Sequence, residues 1–248
     1  MVSLIPISDA NPTRRFPVVT VALIVMNLIA FFALEPGFGM TAEATNYFAE
    51  NVAVPCQLQD ECPDRPVQYS EEEDPVRIPD RGIVSFIGAI LFSTFLHGGF
   101  LHIAGNMLYL WVFGNNVEDR MGPVVFLLFY LAAGIVAAYA QALPSPDSTT
   151  PLVGASGAIA GALGAYLVMF PSARVLTLVP IFFFLQLIEL PAMLVLGFWF
   201  VLQALQGVGS LEAETGVAWF AHIGGFVFGA LVALLFYRGR RVEPGFSY

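Results

Sequence analysis

Long apolar runs recur along this chain at roughly the length needed to cross ~30 Å of hydrocarbon, each bounded by charge, Gly or Pro. Six of them stand near residues 16–34, 100–116, 123–142, 152–170, 179–206 and 217–237. Composition points the same way: 57% of the residues are hydrophobic and 12% charged, against about half and about a quarter in a soluble domain. So much apolar surface needs lipid as a solvent. The expected fold is all-α, a polytopic bundle of six transmembrane helices forming one integral membrane domain over residues 1–248.

The net charge of −9 describes one loop, because eleven of the nineteen acids lie between Glu35 and Asp80. No nucleic-acid partner is expected. All ten basic residues are Arg, and Arg14, Arg15, Arg120, Arg174, Arg238, Arg240 and Arg241 fall on one side of a six-span arrangement. By the positive-inside rule that side is cytoplasmic, as are both termini. The first run follows Arg14 and Arg15 as a signal peptide would, yet no small-residue cleavage site follows it, so a retained helix is expected.

Residues 35–99 form a long extracytoplasmic connection, polar and Pro-containing at first and apolar from Ile83 to Phe95. Gly98 and Gly99 follow at once, so the apolar part is expected to lie in or on the membrane; a seventh span is the alternative. Cys56 and Cys62 lie in this loop, outside the reducing compartment, either as a local disulfide or as two free thiols.

Histidine is costly within a membrane, so His102 and His222 draw attention as two of the three histidines; His97, ahead of the second span, reads as structural. Ser156 stands in Gly154-Ala155-Ser156-Gly157, about four residues into the fourth span, and His222 about five into the sixth. Both spans run inward, which puts the two residues roughly 6 to 8 Å below the outer helix ends. Gly157 and Gly161, continuing to Gly164, form a small-residue face on the fourth span, and Gly225 and Gly229 form one on the face carrying His222. Such faces let helix backbones approach closely. His222 is then placed to take the hydroxyl proton of Ser156 and return it to a departing amine.

His102 and Asn106, four residues apart on one face of the second span, are candidate donors for an oxyanion, together with the Ser156 backbone N–H. Glu189 is the one obvious acid within a span, but about 25 Å of helix separates it from the outer end, too deep to orient His222. Each residue has a plainer explanation. Ser156 alone would be a packing residue, His102 with Asn106 an interhelical hydrogen-bond pair, and Glu189 a neutralised acid near Pro191.

Taken together, the residues resemble the rhomboid family of intramembrane serine proteases, across all six spans. The second-span pattern stands as His97-Gly98-Gly99-Phe100-Leu101-His102-Ile103-Ala104-Gly105-Asn106, continued by Glu118, Arg120 and Gly122. The nucleophile motif is Gly154-Ala155-Ser156-Gly157, and the base motif Ala221-His222 with Gly225 and Gly229. The resemblance implies a Ser156–His222 catalytic dyad, an oxyanion site using His102 and Asn106, and a long loop packed sideways into the outer leaflet. Two departures stand out. The loop has no Trp-Arg pair, and Ala160 stands where some members carry a Tyr stacked on the catalytic His. The compact core without a soluble domain, with its all-Arg, Gly-rich composition, is similar to bacterial members, which implies a plasma-membrane protein.

The expected activity is a serine endopeptidase that cuts single-span membrane proteins in or near their transmembrane segments, with its active site near the extracytoplasmic side. Transmembrane substrates and the lipid bilayer are the expected partners, with no metal and no cofactor. Two rivals are a noncatalytic rhomboid-like binder of membrane clients, and a small transporter using His102, Asn106 and Glu189.

Overall fold

The computed structural model describes residues 4–37, 39, 41–58, 61–69, 74–181, 184–210 and 217–237. Arg238, Arg240 and Arg241 lie outside the described residues. The chain is mainly helical: α1 (Val18–Ala33), α2 (Ala42–Asn51), α3 (Ile83–Ser93), α4 (Phe100–Tyr109), α5 (Asn115–Met121), α6 (Pro123–Ala142), α7 (Ser156–Met169), α8 (Ala192–Ser210) and α9 (Trp219–Phe236). A π-helical turn, Leu110–Gly114, joins α4 to α5, so the second apolar run is helical to Met121, beyond its expected end.

Among the described residues, three helices, Pro123–Ala142, Ala192–Ser210 and Trp219–Phe236, are long and apolar enough to cross a membrane; α1 and α7 are apolar but shorter. Many apolar side chains point outward from the bundle, among them Leu101, Leu128, Leu205 and Leu235. Outside lipid that exposure would be unfavourable.

The core is built on α7. Every residue from Gly157 to Tyr166 is buried, because small side chains let α6 and α9 close on it from two sides. A Cβ added to Gly157 or Gly161 would stand 2.6 Å from the Cβ of Ala137 or Ala133 on α6. A Cβ on Gly225 or Gly229 of α9 would overlap the carbonyl oxygens of Gly157 and Gly161. The expected small-residue faces are therefore real contacts, with α7 and α9 running parallel.

Gly122, at φ +84°, ends α5, and Pro123 opens α6, a helix stop and start that suit these residue types. Glu118 closes the start of α1: its carboxylate accepts the Val19 N–H at 2.9 Å, and the Thr20 N–H and Oγ1–H at 2.7 Å each. These are first-turn donors with no intrahelical acceptor, where negative charge is favoured.

The expected all-α architecture needs amendment, because a three-stranded antiparallel sheet packs at one end of the bundle. It comprises β1 (Ile5–Asp9), β2 (Arg174–Ile181) and β3 (Phe184–Pro191), in the order β1-β2-β3. Asp9 ties the sheet to the core, its Oδ2 accepting from Tyr166 Oη at 2.6 Å and from Asn116 Nδ2 at 2.9 Å. Burial pushes this carboxyl up to about 6. Arg15, Arg120 and Arg174 gather at this end, since the Arg15 N–H reaches Asp119 and β1 pairs with the strand that Arg174 opens.

The sheet also corrects the fifth run. Residues 179–181 and 184–191, expected as helix, belong to the paired strands β2 and β3, and the helix begins at Ala192. Pro180 and Pro191 explain this: neither donates a backbone hydrogen bond, and each restrains the residue before it against helix. Glu189 is therefore not within a helix. It lies exposed on β3, paired with Arg174 at 3.2 Å.

At the other end, the described part of residues 35–99 includes α2, a 3₁₀ turn at Pro55–Leu58, and α3. Phe48 and Val52 pack against Leu96, while Phe86, Ala89 and Ile90 pack with Ala138 of α6. With 11 residues, α3 is roughly 16 Å long, too short for a seventh span. A disulfide joins Cys56 to Cys62. Glu35, just past α1, accepts the His97 N–H at 2.7 Å and so ties the loop's two ends together.

Candidate active site

Ser156 is the first residue of α7, not four residues inside it. Residues 151–155 are not helical and belong to the wall made by the long loop, where the Leu152 N–H bonds the Ala53 carbonyl and the Gly154 N–H the Ser93 carbonyl. The helix thus opens about one turn later than its hydrophobicity suggests. The first backbone N–H groups of α7 lack intrahelical acceptors, and the positive end of the helix dipole lies at Ser156.

Gly154 makes the turn into this helix at φ +124°, a conformation that L side chains rarely adopt. A Cβ there would stand 2.9 Å from His102 Nε2 and 3.7 Å from Ser156 Oγ. The glycine therefore does more than pack helices: it lets the His102 ring approach the serine.

His222 is the fourth residue of α9. Its Nε2 lies 2.8 Å from Ser156 Oγ, a Ser–His hydrogen bond across the parallel α7 and α9. Close approach of these helices at Gly157 and Gly225 is what makes the bond geometrically available. Ala221, beside it, is held by its N–H bond to Gln141 Oε1 at 3.1 Å.

Asn106 is buried on α4, and its Nδ2 has no hydrogen-bond partner among the described residues. A buried amide donor left open is unusual, since it forfeits the full desolvation cost of the group. With Ser156, His222 and His102 it lines an open cavity of about 630 Å³. Leu101 and Tyr109 of α4 form part of the wall, and Trp199 of α8 another part. The cavity therefore contains a hydroxyl on a base, a free amide donor and a helix N-terminus.

His97 does not join them directly. It is buried against the His102 ring, centroids 5.1 Å apart, as a packing residue. Glu189 is at the opposite end, with the sheet. Among the described residues, no group of three or more His, Cys, Asp or Glu is gathered in a way that could hold a metal ion.

Two residues on one face of α8 went unrecognised in the sequence. Gln203 Oε1 lies 2.7 Å from His222 Nδ1, and the Trp199 ring lies 5.9 Å from the His222 ring, centroid to centroid. Ala160 is buried in the core, so the aromatic neighbours of His222 come from elsewhere, Trp199 and Trp219. The available signal was Gln203 itself, a polar side chain within an apolar run, where such a group is expensive unless it has a partner.

The fold and this pair define a helical membrane protein with a Ser–His hydrogen bond in the wall of an open cavity. The chain belongs to the rhomboid family: residues 87–239, more than half of it, match the rhomboid domain. It is similar to the protein named rhomboid protease GluP of Bacillus subtilis (strain 168), at 47% identity over 85 residues, 34% of this chain and 16% of that one. It is also similar to the mitochondrial presenilin-associated rhomboid-like protein of Bos taurus, at 29% identity over 143 residues, 56% of this chain and 36% of that one. The mitochondrial rhomboid protein 1 of Saccharomyces cerevisiae (strain ATCC 204508 / S288c) is 34% identical over 95 residues, 37% of this chain and 28% of that one. The chain therefore spans well under half the length of these relatives.

Proposed function

We propose that this chain is an intramembrane serine endopeptidase that hydrolyses peptide bonds in or near the transmembrane segments of single-span proteins. The observation that carries this is the 2.8 Å contact between Ser156 Oγ and His222 Nε2, facing a cavity large enough for an extended peptide. The Bacillus subtilis relative is named a protease, which supports the same chemistry.

In this reading α1, the continuous α4–α5 helix, α6, α7, α8 and α9 are the six spans, with both termini cytoplasmic and the site toward the extracytoplasmic side of a plasma membrane. The sheet end, with its Arg residues, is the cytoplasmic one. A substrate helix enters laterally and unwinds, because a helix hides its carbonyls in its own hydrogen bonds.

Ser156 Oγ attacks the scissile carbonyl carbon while His222 Nε2 takes the hydroxyl proton, giving a tetrahedral oxyanion. Asn106 Nδ2, His102 and the Ser156 N–H donate to that oxygen. Collapse breaks the C–N bond, and His222 returns the proton to the amine, leaving an acyl ester on Ser156. Water, deprotonated by His222, then attacks the ester and frees the carboxylic acid and Ser156.

A noncatalytic binder of membrane clients would need neither the serine nor the base. The transporter reading loses its support, because Glu189 is exposed and paired with Arg174 on the hairpin. The test is reconstitution with a labelled single-span substrate, comparing the native protein with Ser156→Ala and His222→Ala. Cleavage is expected from the native chain and only background from either variant; cleavage that survives Ser156→Ala sinks the mechanism.

A further inference from the structure

A base that accepts a proton on one ring nitrogen must carry its own proton on the other. In His222, Nε2 faces Ser156 and Nδ1 faces Gln203 Oε1 at 2.7 Å. An amide oxygen only accepts, so this bond needs Nδ1 protonated and leaves the Nε2 lone pair for the serine hydroxyl. Gln203 is 8% exposed, so its side chain lies largely out of bulk solvent.

Gln203 and Trp199 are four residues apart on α8 and share one helix face. One contacts the imidazole through its edge nitrogen, the other through its ring, at 5.9 Å between centroids. Together they restrict both ring rotation and tautomer. An amide does this without adding a charge that would itself have to be buried beside the base.

We propose that Gln203 is the positioning residue of this site, holding His222 in the Nδ1–H tautomer with Nε2 turned to Ser156. The proposal rests on the protease reading for its catalytic consequence, but not for the tautomer itself. The two are separable by experiment.

Only three histidines occur in the chain, so the ¹⁵N spectrum of histidine-labelled protein is readable, with His222 assigned by its loss in His222→Ala. The comparison is native protein, Gln203→Met, which has similar reach but no oxygen acceptor, and Gln203→Glu, which keeps one. Native protein is expected to show protonated Nδ1 and unprotonated Nε2 for neutral His222. Gln203→Met is expected to lose that preference and to lower kcat on the order of 10²-fold, the low end for a general base, with KM nearly unchanged. Gln203→Glu is expected to restore the tautomer and much of kcat.

A native spectrum showing protonated Nε2 overturns the proposal even if Gln203→Met fails to fold. Equal loss of kcat in the Met and Glu variants, or an unchanged tautomer and kcat in Gln203→Met, also overturns it. If native protein shows the Nδ1–H tautomer yet no Ser156-dependent cleavage, the protease reading fails while the Gln203 contact stands.

Discussion

Ser156 Oγ and His222 Nε2 are 2.8 Å apart although 66 residues separate them in the chain. Their approach depends on two helices packed backbone to backbone and on α7 beginning at the serine.

On the protease reading, the hydroxyl is activated only through that contact. A fluorophosphonate is expected to label Ser156 in the native protein, read by peptide mass mapping. Labelling of His222→Ala should fall by about 10² or more, the contribution of a positioned general base. Modification of a different serine would overturn the assignment.

Asn106 carries a buried donor with no partner among the described residues. If that donor is meant for the oxyanion, Asn106→Ala lowers kcat by about 10²- to 10³-fold, the usual cost of one such donor, and changes KM little. Steady-state kinetics on a single-span substrate decide this. A rise in KM at constant kcat would assign Asn106 to substrate binding instead.

Gly225 and Gly229 touch the backbone of α7, where a flexible side chain could have moved aside but a carbonyl cannot. Gly229→Val is expected to destabilise the protein by about 3 kcal/mol or more, the upper range for overpacking, and to abolish activity by parting Ser156 from His222. Thermal unfolding in detergent measures the first and Ser156 labelling the second. Gly197, with open space around it on α8, serves as the control and should tolerate Ala.

Burial holds the Glu35 carboxyl up at about 7, against an opposing effect from the His97 N–H it accepts. Folding therefore favours the protonated form. The stability from this group is complete below about 4.5, its ordinary value, and is lost as pH rises through about 7. Glu35→Gln keeps an acceptor for His97 without the charge. Native stability relative to that variant is expected to decline between these two pH values, measured by thermal unfolding. A difference independent of pH would refute the assignment.

Local signals made several features legible before any contact was known. The apolar runs and the paired glycine faces both depend on spacing within a single element. The Ser–His contact was legible only in part: the facing glycines pointed to two closely packed helices, whereas the opening of α7 at Ser156, on which the 2.8 Å contact depends, did not show in the hydrophobic pattern.

Other features were present in the residues but outweighed by a stronger local pattern. Apolar continuity from 179 to 206 hid the hairpin, even though Pro180 and Pro191 argued against helix there. The same continuity puts Glu189 in a span, whereas its exposed pairing with Arg174 depends on strand register.

By itself, then, the sequence determined the membrane-helical class and the helices that approach closely, since these follow from hydrophobic period and side-chain size. Tertiary structure alone decided that α7 begins at Ser156, that Glu118 closes α1 and that Gln203 and Trp199 frame His222. Each of these is a contact between distant segments, in which a polar group is satisfied by whatever the fold brings beside it, and no local pattern records that neighbour.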